Sequence, residues 1–131
     1  MPVRSLNSAV LRWPDRQVVH AAAVHWAARL AGQEAEVKRV AYFGSYARGD
    51  WGVGSDLDLL VIVGRNDLPF EQRASSWDLT DLPVPAEVRV YTEPEWATLK
   101  EAGGRFVREA EACAVWVWKS PSSQGEPVPV E

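Results

Sequence analysis

Two aspartates, Asp56 and Asp58, stand at the entrance of the apolar run Leu57-Asp58-Leu59-Leu60-Val61-Ile62-Val63. On a β-strand that spacing sends both carboxylates to one face. Carboxylates held side by side repel each other. A hard divalent cation relieves the repulsion and draws in phosphate oxygens. Upstream, Gly44-Ser45 follows the β-prone stretch Val37 to Phe43 and leads into a helical turn. Backbone N–H groups at such a junction have no intrahelical partner, so they suit a phosphate, and the Ser45 hydroxyl adds a donor. Each feature alone has a plain reading: Gly-Ser is an ordinary turn, Ser55-Asp56 caps another, and Asp58 is solvated. Together, with a buried strand directly behind them, they are harder to explain as turn chemistry.

The elements that must position these residues are legible from periodicity. Trp13-Pro14-Asp15 opens a helix running to Leu30, with Val18, Ala22, Trp26 and Leu30 as its apolar stripe and Gly32 as its stop. Val37 to Phe43 and Leu57 to Val63 are strands, the second continuous enough to be covered on both faces. Pro69 to Asp78 is a helix candidate closed by the turn Asp81-Leu82-Pro83. Glu87 to Tyr91 alternates as a third strand. Thr92, Pro94 and Glu95 spell an N-cap, a first-turn proline and a capping box for a helix through Lys100. Arg105 to Ala112 predicts another helix and Ala114 to Trp118 a last strand. These elements predict one α/β domain over 1–119, a small mixed β-sheet flanked by helices. The tail 120–131, rich in Ser, Pro and Gly, has too little to bury and is expected to be disordered.

Composition narrows the partners. The chain has 131 residues, 47% of them apolar, enough for one core and too few for two ordinary domains. A net charge of −4 argues against non-specific nucleic-acid binding, which needs clustered Lys and Arg. It leaves room for a nucleotide, because a metal ion supplies the positive charge that phosphates require. The single cysteine, Cys113, lies in an apolar setting that favours a packed thiol. His20 and His25 are spaced so that a helix does not stack them, which makes a zinc site an unattractive reading. No apolar run reaches membrane-span length and no signal peptide opens the chain, so the expected compartment is the cytoplasm.

The string Phe43-Gly44-Ser45-Tyr46-Ala47-Arg48-Gly49, ten residues between Ser45 and Asp56, then Ser55-Asp56-Leu57-Asp58-Leu59, resembles a family signature. It is that of the DNA polymerase beta-like nucleotidyltransferase superfamily, and within it of the minimal nucleotidyltransferases. The resemblance covers about Val37 to Tyr91. It implies that Gly44 and Ser45 bind a nucleoside triphosphate, ATP in the leading case, and that Asp56 and Asp58 hold Mg2+. A third carboxylate belongs on a later strand, where Glu87 stands in place of the usual Asp; its alternative is a solvent-facing strand residue. Arg48 lies just beyond the phosphate cradle, placed to reach the triphosphate, to brace an aspartate, or to form a structural salt bridge with Asp50 or Asp58. Minimal nucleotidyltransferases pair with small helical HEPN-type toxins, and the resemblance implies an antitoxin that passes AMP to a toxin tyrosine. Two alternatives stay open: a catalytically silent module of the same fold that caps a partner, and a small-molecule enzyme completed by a second subunit. Trp51, between the motifs, stacks on a base, covers a partner surface, or packs its own loop, the last being the plainer choice.

Overall fold

The computed structural model describes residues 13–121. Helix α1 spans Arg16–Gln33 and is followed by strand β1, Val37–Phe43. A one-turn helix α2, Ser45–Arg48, leads through a glycine-rich loop to β2, Leu57–Val63. Strand β3 covers Ala86–Thr92, helix α3 Glu93–Ala102, helix α4 Arg105–Cys113, and strand β4 Val115–Lys119. The strands form one sheet in the order β3-β2-β1-β4. Strand β1 pairs antiparallel with β2 and β4, while β2 pairs parallel with β3, so the sheet is mixed.

The burial of β2 follows from its position between β1 and β3. Leu57, Leu59, Val61 and Val63 face α1, in a core with Val19, Ala23, Trp26 and Tyr42. Leu60 and Ile62 face the other way, against Trp96 of α3 and Val107 and Ala110 of α4. Residues 59 to 62 are wholly buried, which is why this strand reads as a continuous apolar run instead of alternating. A strand packed from both sides makes a rigid mount for the carboxylates at its start.

Helix α1 begins where Asp15 accepts from the Val18 N–H at 3.0 Å. Its buried stripe, however, is Val19, Ala23, Trp26, Ala27 and Leu30, and Val18 is 51% exposed. The predicted stripe of strict four-residue steps drifts about 40° per step around a 3.6-residue helix, so Trp26 and Leu30 lie in the core while Val18, two steps before Trp26, lies outside it. The Trp26 indole N–H donates to the Asp78 carbonyl at 2.9 Å and ties the helix to the β2–β3 crossover.

That crossover overturns one expectation. Pro69 to Asp78 holds only a 3₁₀ turn, Phe70–Gln72, and then further turns. Its backbone bonds run from Gln72 N to Pro69 O, Ser75 N to Gln72 O and Trp77 N to Ala74 O, each three residues back. The cause is Arg73, which is buried and donates to Leu68 O, Val90 O and both Glu95 carboxylate oxygens. Those four bonds draw the segment against β3 and α3 and hold it away from an α-helical register. The capping box at α3 forms as read, with Thr92 and Glu95 bonding reciprocally. Of the expected tail, residues 122–131 lie outside the described residues.

Candidate active site

The end of β1, the start of β2 and the start of β3 meet at one corner of the sheet. In register, Phe43 lies opposite Asp58, and Asp58 lies beside Glu87. Paired residues share a face, so Asp58 and Glu87 project toward the side covered by α3 and α4. Gly44 follows Phe43 with φ 79° and ψ −150°, a conformation that only glycine adopts without strain. A side-chain carbon at Gly44 would strike the carboxylate of Asp58, so the backbone here passes directly over that group. Cleft and carboxylate are therefore built against each other.

A cleft of about 380 Å³ opens at this corner, lined by Phe43, Gly44, Ser45, Arg48, Asp56, Asp58, Phe106 and Glu109. Five of the six site residues expected from sequence share it. Glu87 does not: it is exposed and lines a neighbouring groove of about 410 Å³ with Phe70, Glu71, Ala74, Ser75, Leu79, Val88 and Arg89. Among the described residues, no three His, Cys, Asp or Glu side chains gather closely enough to hold a metal ion together.

Asp58 carries that repulsion. Burial pushes its carboxyl above the usual carboxylate range, the charges of Glu87 and Asp56 push it further, and Arg89 and Arg48 pull it partly back. Two hard oxygen donors that repel each other, beside a backbone cradle, fit a magnesium ion. That ion takes one or two protein carboxylates and fills its remaining positions with water and phosphate oxygens. Asp56 and Asp58 would be those carboxylates, with Glu87 next in register.

Helix α2 is anchored from below. Tyr46 is wholly buried, donates to the Pro14 carbonyl at 3.0 Å and stacks on Trp51 with ring centroids 5.4 Å apart. Trp51 thus packs its own loop. Arg48 forms the expected salt bridge to Asp50, with Nε at 3.2 Å, and an unexpected one to Glu109 of α4, with Nη1 at 2.8 Å. Glu109 and Phe106 were not singled out from sequence. Nothing local marks them, because they reach the site only when α4 folds back over the sheet. Arg89 was also missed, although its place two residues after Glu87 on a strand puts it on the site's face. A separate groove of about 470 Å³ lies beyond α3, lined by Phe70, Tyr91, Pro94, Glu95, Thr98 and Leu99. Its single carboxylate, Glu95, is tied to Arg73.

A mixed four-stranded sheet with a glycine-serine cradle and an aspartate pair at the same corner defines a nucleotidyltransferase-type domain. The family model described as a nucleotidyltransferase domain matches residues 27–116, and the chain belongs to that family. Its role is accordingly of the nucleotidyltransferase type, and domains of this kind take a nucleotide substrate and generally use divalent metals. Among solved structures, one from Sulfolobus solfataricus, named as a candidate nucleotidyltransferase, aligns with TM-score 0.57 and 20% identity over 79% of this chain and 83% of its own. That likeness bears on the fold. A toxin-antitoxin structure with AMP-PNP aligns with TM-score 0.46 and 16% identity over 78% and 77% of the two chains, too remote to carry an argument. No curated protein matches the sequence significantly. Among the described residues, no helix is long and apolar enough to cross a membrane.

Proposed function

We propose that this protein transfers AMP from ATP to a hydroxyl on a protein partner, acting as the antitoxin-type minimal nucleotidyltransferase of a HEPN-type toxin. The observation that carries the transfer reading is the Gly44 backbone lying on the Asp58 carboxylate, in register with Glu87. The partner reading rests on the motif resemblance and on the acidic balance of the chain.

Gly44 and Ser45 hold the triphosphate through backbone N–H groups and the Ser45 hydroxyl. Arg48 closes the outer wall, and its Nη2 remains for a phosphate oxygen after Nε and Nη1 have bonded Asp50 and Glu109. Asp56 and Asp58, with Glu87, would hold Mg2+, which neutralises phosphate charge and eases deprotonation of the acceptor hydroxyl. The acceptor oxygen bonds to the α-phosphorus as the bond to the bridging oxygen breaks. Pyrophosphate leaves, and the hydroxyl proton passes to the Glu87 carboxylate or to water. Catalysis is then mostly positioning and charge stabilisation.

Co-expression with the product of the adjacent reading frame, followed by ATP and magnesium, tests this reading. It predicts a stable complex and a gain of one or a few AMP masses on the partner. A partner that is bound and neutralised but never modified favours the silent-module alternative, to which the separate placement of Glu87 lends support.

A further inference from the structure

Two arginines bring charge to Asp58, and they differ in how their donors are used. Arg48 is engaged with Asp50 and Glu109. Arg89 stands beside Leu60 in the β2–β3 register, on the face that carries Asp58 and Glu87. Its guanidinium carbon lies 5.6 Å from the centre of the Phe43 ring and 5.3 Å from that of Phe106. Those rings meet edge to face at 5.3 Å, so two elements, β1 and α4, clamp a side chain that is otherwise flexible. Among the described residues, no carboxylate, carbonyl or hydroxyl accepts a hydrogen bond from it.

Arg89 is half-buried as a residue, and its guanidinium has ring faces, not oxygen acceptors, on the side where Phe43 and Phe106 stand. The buried Arg73 differs, with its four donated bonds, while Arg39 shares the ring contact, over Trp116, but lines neither of the two spaces at the site. Arg89 also lies on the boundary between two spaces. Its clamp rings line the cleft of Asp56 and Asp58, and Arg89 itself lines the groove of Glu87. Planar, permanently charged and fixed in place, such a fork matches the oxygens of a phosphate.

We propose that Arg89 is a substrate-binding residue that holds an anionic phosphate oxygen of the nucleotide with its unpaired N–H fork. The inference rests on the nucleotidyl-transfer reading above. An acceptor carrying its own anionic group is the other source of such an oxygen, and the test separates the two.

The full chain is titrated calorimetrically, in magnesium, with AMP-PNP and separately with inorganic pyrophosphate, as wild type, Arg89→Met and Arg89→Lys. Met keeps an apolar stem on the two rings, and Lys keeps the charge without the fork. The expected result is a loss of ~10-fold or more for both ligands in Arg89→Met, with Arg89→Lys between it and wild type. If Arg89→Met does not fold, the Lys variant decides: an affinity equal to wild type overturns the proposal. Unchanged affinity for both ligands in Arg89→Met also overturns it, and assigns the guanidinium to an acceptor or to charge balance. Wild-type protein that binds neither ligand sinks the nucleotide reading itself, and this inference with it.

Discussion

Gly44 and Asp58 are built as one unit: the glycine's backbone, at φ 79°, leaves no room for a side-chain carbon in front of the aspartate's carboxylate. Gly44→Ala therefore meets both a disfavoured backbone conformation and a collision with a half-buried acid on a rigid strand. We expect a stability loss of about 1–3 kcal/mol by urea denaturation, together with loss of nucleotide binding. Wild-type stability in Gly44→Ala would show that the loop yields without cost.

Asp58 should lower the stability of the metal-free protein at neutral pH. Its carboxyl is raised by burial first and by Glu87 next, so the fold binds that proton more tightly than the unfolded chain does. The sign follows from linkage: stability is greatest below the ordinary carboxylate range and falls as pH rises toward the raised folded-state value. Above it, the ionised group is a constant burden. Asp58→Asn, in chelator at neutral pH, is expected to melt higher than wild type while losing magnesium-dependent nucleotide binding. A lower Tm for Asp58→Asn would contradict the electrostatic account.

The opposite sign holds at Glu95. Arg73 and the Thr92 N–H hold its carboxyl down to about 2, against an ordinary 4.5. Its contribution is present above the ordinary value and is lost as pH falls toward about 2. Thermal melts across that interval should show the decline in wild type and a flatter course in Glu95→Gln. Arg73→Met removes four donated bonds, two of them to the backbone carbonyls of Leu68 and Val90, and should cost about 2–4 kcal/mol. A loss within ~0.5 kcal/mol would mean that the crossover segment is held by its apolar contacts alone.

These residues also mark what the sequence could and could not disclose. The bounds of β1 and β2, the helix start at Trp13-Pro14-Asp15 and the Thr92–Glu95 box were legible because each is set by neighbours in the chain. The crossover was misread because Arg73 looks like any surface cation until β3 and α3 supply its acceptors. The α1 stripe was right at Trp26 and Leu30 and displaced by one residue at Val18 and Ala22, since Val18 and Val19 are equivalent until a sheet chooses a side. At the site, the cradle and the aspartate pair were readable as a motif. Glu109, Phe106 and the clamp on Arg89 were not, because α4 brings them from far along the chain.

Glu87 has a narrower test. If it serves the acceptor side, Glu87→Gln should leave nucleotide affinity within a few-fold and reduce transfer by ~100-fold or more. Glu87→Asp should keep much of the activity. Full transfer by Glu87→Gln would make this residue a strand-surface glutamate, as its exposure and separate groove allow.

The central claim is that the corner formed by Gly44, Asp56 and Asp58 holds a nucleotide through a divalent metal. Isothermal titration of AMP-PNP into the full chain, in magnesium and then in chelator, tests it most directly. The account predicts binding that needs the metal, and no metal-dependent component in the double variant Asp56→Asn, Asp58→Asn. Equal affinity with and without chelator in the unmutated protein would contradict it.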